Sequence, residues 1–315
     1  MEQTAVAASI KKTKRRRLTA RWESPIAGYL FIAPWLIGFF ALTLGPMGMS
    51  MYYSFTDYSL LGEENWVAFR NYTRIFLSDD TFVQSIKVTL LYVCISVPVK
   101  LASSLFFAII LNKKIKAISV YRTLMYIPSI VGGSLAVAIL WKNIFGLNGF
   151  INYFLSWFGI KGISWISNPD TALGTLVILS AWQFGSTMII FLAGLKQIPA
   201  ELYEASSVDG ANKVRQFFAV TLPMLSPVIL FNLILGIINS FQMFTSAFIV
   251  TGGGPVHSTY MYALYLYEKA FAHYQMGYAS ALAWILMILI AIATTVNFSL
   301  SKHWVYYEAE EGGRK

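Results

Sequence analysis

Gln197-Ile198-Pro199-Ala200-Glu201-Leu202-Tyr203-Glu204-Ala205-Ser206-Ser207-Val208-Asp209-Gly210 is a polar, acidic interruption in a chain that is otherwise mostly apolar. Pro199 suits the first turn of a helix, where its missing N–H would have had no partner. Glu201 and Glu204 follow in the first two turns, where the helix dipole favours negative charge. Gly210 stands where a left-handed residue would end the helix. The stretch therefore predicts a short helix of roughly three turns, held at one membrane surface between two apolar spans. Leu202, Tyr203 and Ser206 share one side at helical spacing. With no core visible beneath it in the sequence, such a helix reads as a docking element.

Working outward, hydrophobic residues make up 57% of the chain and charged residues 12%, half the share typical of soluble domains. One soluble core cannot absorb that much apolar sequence, so the chain reads as an integral membrane protein. The net charge of +9 is uneven, with six basic residues in Lys11–Arg17. Beside a membrane span such a run marks the cytoplasmic side more readily than a nucleic-acid arm. The apolar run from Gly28 is too long for a cleavable signal peptide, and no small-residue cleavage site follows it. Cys94 is the only cysteine, which excludes an intrachain disulfide and a cysteine metal cluster. Its apolar surroundings predict a buried, inert thiol.

Apolar runs long enough to cross about 30 Å of hydrocarbon fall at about 28–55, 82–111, 119–141, 173–195, 227–250 and 278–300, the first interrupted by Pro34 and Pro46. The fold class is all-α, with six transmembrane helices. A basic arm, 1–27, precedes the membrane domain of 28–300, whose polar loop covers about 196–226; a tail, 301–315, follows. Seventeen basic residues lie in the arm, the tail and the 112–122 and 196–226 loops, against five in the alternate loops. That asymmetry predicts both termini, and the opening helix, on the cytoplasmic side. The aromatics of the other loops, around 52–58, 66–72 and 157–165, read as interface anchors.

Little here suggests chemistry. Thr251-Gly252-Gly253-Gly254-Pro255 lacks the Lys-Ser/Thr of a phosphate loop and reads as a flexible turn. His257, His273 and His303 lack metal-ligand spacing. No nucleophile–base pair stands out, so the chain is expected not to be an enzyme by itself, with no cofactor of its own. The fifth span does carry a polar face: Asn232, Gly236, Asn239 and Met243 recur at i, i+4, i+7 and i+11, flanked by Ser240, Gln242 and Phe244. Amides in a span need a partner. Bonds to neighbouring helices would satisfy them, and so would a hydroxyl-rich solute whose rings pack on the aromatics. Both readings stay open. The fourth span offers Trp182 with Ser186, and Gln183 with Thr187. Lys87, near a helix end, can reach the interface; Lys100, deeper and just after Pro98, is expected to face protein or water. No Asp or Glu falls inside a span, which argues against an ion-driven carrier.

Glu204-Ala205-Ser206-Ser207-Val208-Asp209-Gly210-Ala211, continued by Phe217-Phe218 and Thr221-Leu222-Pro223-Met224-Leu225-Ser226-Pro227, resembles the EAA loop of binding-protein-dependent ABC importer permeases. Ser206 stands where that pattern has a second alanine. Phe31-Ile32-Ala33-Pro34, Ser54-Phe55-Thr56-Asp57, Asn71-Tyr72 and Thr251–Pro255 are similar to the carbohydrate branch, the maltose and glycerol-phosphate type. The likeness runs from about 28 to 300. It implies a type I importer permease of the bacterial plasma membrane, importing a carbohydrate such as an oligosaccharide; a non-sugar solute remains the alternative. It further implies a second related permease, two cytoplasmic ATPase subunits holding ATP and Mg²⁺, an extracytoplasmic solute-binding protein and surrounding lipid, with no nucleic acid. Leu202, Tyr203, Glu204, Ala205, Ser206, Asp209 and Gly210 would then couple to the ATPase. In a bacterial chain the Asn71-Tyr72-Thr73 sequon is discounted.

Overall fold

The computed structural model describes residues 25–60, 62, 64–113 and 116–306. The basic arm up to residue 24, and the tail from residue 307, lie outside them. Among the described residues the regular structure is helical, apart from one isolated bridge between Thr56 and Trp66.

The chain divides into two units at Tyr52/Tyr53. In the first, α1 (Pro25–Phe39) passes through a π-helical turn, Phe40–Leu44, into α2 (Gly45–Tyr53). Pro34 sits inside α1 without breaking it. At Pro46, whose ring would collide with a carbonyl four residues back, the π turn lengthens the repeat so that Gly45 N–H bonds Phe40 O. The expected interruptions are therefore absorbed, and 28–53 is one apolar helix long enough to cross a membrane.

In the second unit, α3 (Arg70–Ser78) leads into α4 (Asp80–Leu111). Asp79 caps α4 by accepting from Phe82 N at 3.0 Å. Three paired segments follow where straight spans were expected: α5 (Ile118–Val131) with α6 (Leu135–Ile144), bent by 99°; α8 (Pro169–Trp182) with α9 (Gly185–Gln197), bent by 46°; and α11 (Lys213–Gln216) through α12 (Leu222–Met224) against α13 (Ser226–Phe241), bent by 66°. Between them lie α7 (Phe150–Ser156) and α10 (Ala200–Val208); α14 (Tyr262–Tyr267) and α15 (Met276–Ser301) complete the chain. Among the described residues three helices can cross a membrane by length and composition, and up to six spans result if each bent pair is one crossing.

Two of the bends meet and satisfy each other. Gly132 and Gly133 end α5 just after Pro128, and Ser134 starts α6 by accepting from Val137 N. The α8–α9 break lies directly against this point. Ser129 Oγ donates to Gln183 O at 3.2 Å and accepts from Ser186 N at 2.9 Å, while Gln183 Nε2 donates to Gly132 O at 3.0 Å. Each break thus supplies the partners that the other's freed backbone groups require away from water. A side chain at Gly132 would lie 2.4 Å from the Gln183 side chain, so this close approach needs glycine.

Three cores hold the second unit. One centres on Tyr262, Tyr265 and Leu282 with Trp141 and Leu176; the second joins α4 to α9 through Ala108, Phe184, Met188 and Leu225; the third packs Val93 and Val97 on Ile237 and Phe241. Two further expectations fail. Cys94 is exposed on α4, because it falls on the outward stripe with Leu90, Leu91 and Ile95 while Val93 and Val97 take the core side. The glycine-rich turn is fixed, not loose: Thr259 Oγ1 bonds Gly254 O and Thr251 Oγ1, and Gly253, at φ +79°, packs under Tyr260.

Candidate functional site

Two places carry the residues singled out from sequence. The first is α10. Pro199 is its N-cap and Glu201 stands in its first turn. At its end Gly210 adopts φ +75°, and Ala211 N–H reaches back to Ser206 O at 2.9 Å, the long bond of a Schellman ending. The helix does have support beneath it. Tyr203 O–H pairs with Thr221 Oγ1 at 2.9 Å. Ser206 and Ser207 hydroxyls donate to Tyr203 O, and Gln216 Nε2 donates to Ser207 Oγ at 2.8 Å. Gln216 itself is buried.

This anchoring divides the helix differently from the sequence expectation. Tyr203 and Ser206 are half-buried, and Tyr203 and Ser207 tie α10 to the segment after it, while Leu202, Glu204, Ala205 and Asp209 are exposed, together with Glu201 and Val208. Leu202 therefore does not share a docking side with Tyr203 and Ser206. The outward surface is mixed apolar and acidic, and Gly210 is exposed at its end.

The second place is a cavity of about 310 Å³ between α4, α8, α9 and α13. That is the lower end of the roughly 300–1,000 Å³ found for small-molecule sites. Asn232, Asn239, Ser240 and Met243 line it, as does Gln183. α13 ends at Phe241, so Met243 reaches the cavity from beyond the helix and not as a fourth step of one helical face. Gln242, Phe244 and Trp182 do not line it. Gln242 is exposed; Phe244 stacks on Phe248 at 5.3 Å, and Trp182 leans on Trp141 at 5.8 Å.

The three amides are oriented alike. Asn232 Nδ2 donates to Val228 O, Asn239 Nδ2 to Leu235 O, and Gln183 Nε2 to Gly132 O. Each leaves its carbonyl oxygen as an acceptor, and each keeps a second N–H. Serine and threonine hydroxyls add to them: Ser129, Ser180, Ser186 and Thr187 on one wall, Ser246 on the other. Ser129 and Ser180 were missed from sequence because an isolated serine in an apolar run gives no periodic signal. Lys100 lines the same cavity, in keeping with its expected orientation. A wall of amides and hydroxyls can replace part of the water shell of a hydroxyl-rich molecule.

At the end of α4 farther from α10 in sequence, Asp79 accepts hydrogen bonds from Tyr265 O–H and Tyr278 O–H. Burial alone would raise its carboxyl, but these bonds, the Phe82 N–H and nearby Lys269 outweigh it and hold Asp79 below the usual carboxylate range. Burial and the same bond push the Tyr265 phenol upward. Lys269 lies over the Tyr265 and Tyr278 rings at 5.4 and 5.7 Å. Nearby, Asn71 is buried with Nδ2 on Ser54 O and Thr56 O at 2.9 and 2.8 Å. Its amide is fully engaged, which is a structural reason against the sequon.

Residues 92–304 match the family described as the binding-protein-dependent transport system inner membrane component. The chain belongs to this family. It is 50% identical over 289 residues to the probable ABC transporter permease protein YesP of Bacillus subtilis (strain 168), covering 91% of this chain and 94% of that protein. It is 32% identical to the arabinooligosaccharides transport system permease protein AraP of the same organism, over 89% of this chain and 90% of that one. In fold it is similar to a bacterial ABC transporter involved in the import of the acidic polysaccharide alginate, with TM-score 0.75 at 21% identity, over 87% of this chain and 94% of the other. As a family member it is a multi-pass membrane component of an importer, and α10 with its C-terminal continuation is the segment whose sequence first pointed there.

Proposed function

We propose that this chain is the permease subunit of an ATP-driven importer that receives a carbohydrate, an oligosaccharide, from an extracytoplasmic solute-binding protein and releases it in the cytoplasm. Family membership supports the permease role, and the relative that carries arabinooligosaccharides supports the solute class. The observation that carries the reading is the cavity between α4, α8, α9 and α13, which three amide residues and several hydroxyl residues line within apolar helices. ATP and Mg²⁺ bind to separate ATPase subunits. The positive bias of the 112–122 and 196–226 loops supports placing α10 on their side of the membrane. There its exposed Leu202, Glu204 and Asp209 face the ATPase, while Tyr203, through Thr221, braces the helix from behind. A second, related permease completes the path.

ATP does no chemistry on this chain; it drives transport only if the ATPase contacts α10 differently in its open and closed states. The test is ATP-dependent accumulation of labelled oligosaccharides by vesicles holding the assembled importer. Asn239→Leu is expected to lower uptake while the ATPase still co-purifies. Uptake that continues without ATP would refute the mechanism, and unchanged uptake by Asn239→Leu would remove the cavity from the path.

A further inference from the structure

Lys100 is the one charged residue on the cavity wall, and no Asp or Glu lines the cavity with it. Among the described residues its Nζ makes no ion pair and no hydrogen bond; the single ion pair there joins Arg70 to Asp57 at the surface. Lys100 stands on the cavity wall, eleven residues before the end of α4 at Leu111. Its backbone is also fixed. The buried hydroxyl of Ser104 lies 2.6 Å from Lys100 O and 3.2 Å from Phe184 O. That fastens this turn of α4 to the α8–α9 break and turns Lys100 toward the cavity rather than the lipid.

An ammonium within a span is costly unless an opposite charge, hydrogen-bond acceptors or water meet it. Amides and hydroxyls are enough to hold a neutral sugar, and a lysine among them weakens the wall unless something of opposite charge meets it. Within the described chain nothing does. We propose that the missing counter-charge belongs to the cargo: Lys100 selects an anionic saccharide, one whose rings carry carboxylate or sulfate groups. This rests on the carbohydrate reading above and narrows it. The compact ammonium acts as a point charge that neutralises one anionic group at a time, while Asn232, Asn239 and Gln183 bind ring hydroxyls around it.

The test uses the whole importer in vesicles and matched pairs of saccharides differing only in charge: trigalacturonate and trimannuronate against their carboxyl-reduced forms, and a sulfated trisaccharide against its desulfated form. The wild type is expected to take up the anionic member of at least one pair about tenfold better, and the pair that responds identifies the group. In Lys100→Met and Lys100→Gln that preference should collapse to about twofold or less, while Lys100→Arg keeps most of it. If the neutral variants fail to assemble, Lys100→Arg decides: loss of the preference with uptake intact overturns the inference, and its retention supports it. Equal or better uptake of the neutral member in every pair overturns the inference and leaves carbohydrate import standing. An equal fall for both members in Lys100→Met also overturns it, because Lys100 would then serve a neighbouring subunit's carboxylate. No ATP-dependent uptake of any saccharide overturns the carbohydrate reading as well.

Discussion

Two glycines of the fourth span offer the same chemical change with opposite expected signs. Gly174, inside α8, is exposed, and a Cβ there would meet nothing within 4 Å. Gly174→Ala should stabilise by about 0.5–1 kcal/mol, because alanine gives up less backbone freedom in a helix than glycine. Gly185 opens α9 against α5. Its Cβ would lie 2.6 Å from Met125 O and 2.8 Å from both Tyr126 Cα and Ser129 Oγ. The first contact is short of ordinary packing by about 0.8 Å, and two of the three atoms are backbone, so α5 itself must move. Overpacking of this kind costs about 1–3 kcal/mol. Displacing Ser129 puts at risk its bonds to Gln183 and Ser186, each worth about 1 kcal/mol. Less the alanine gain, Gly185→Ala should destabilise by about 2 kcal/mol, leaving the two variants roughly 3 kcal/mol apart. Thermal unfolding of the purified protein in detergent, followed by tryptophan fluorescence, should separate their midpoints by roughly 6–12 °C on either side of wild type. Midpoints that move together, or a stabilised Gly185→Ala, would refute the close-packed junction.

Other perturbations address the remaining elements. Gly210→Val forces a β-branched residue to φ +75°, costing about 1–2 kcal/mol; ATP hydrolysis by the assembled importer should persist while uptake per ATP falls. Tyr203→Phe removes the bond to Thr221, worth about 1 kcal/mol, and should speed limited proteolysis within 200–216. For Asp79→Asn the sign follows from its depressed carboxyl. The folded value lies below the unfolded one, so its stabilisation is complete above the unfolded value near 3.8 and is lost as pH falls through the folded value. The variant should melt below wild type at pH 7, and the gap should close under acid conditions. A gap unchanged at low pH would show that the carboxylate charge is not what Tyr265 and Tyr278 stabilise.

Single-residue backbone demands read well from sequence. Pro199 and Gly210 bracket α10 as expected, because caps and left-handed endings are decided locally. The long uniform helices α4 and α15 also fell close to their apolar runs. The breaks did not, since a run such as 119–141 is apolar throughout and its 99° bend depends on Ser129, Gly132 and Gln183 meeting across two spans. The same non-local cause hid half of the cavity wall. Asn232 and Asn239 announced themselves by helical spacing, but Ser180 and Ser129 reach the cavity only because α5 and α8 end where they do. Tyr203 shows the reverse case: its spacing matched Leu202, yet the partner that turns it inward, Thr221, lies eighteen residues on.

The reciprocal junction between Gln183, Ser129 and Gly132 also bears on how the chain is made. When the third apolar segment first meets lipid, the Gly132 carbonyl freed at its break lacks its donor, because Gln183 is still to be synthesised some fifty residues later. Open carbonyls and amides in hydrocarbon cost several kcal/mol each. The third segment is therefore a poor passenger alone, and it becomes a good one when the fourth arrives with its own break to match. The two are expected to leave the insertion machinery as a pair, so that biogenesis rather than the finished fold is where a substitution at Gly132 would first be felt.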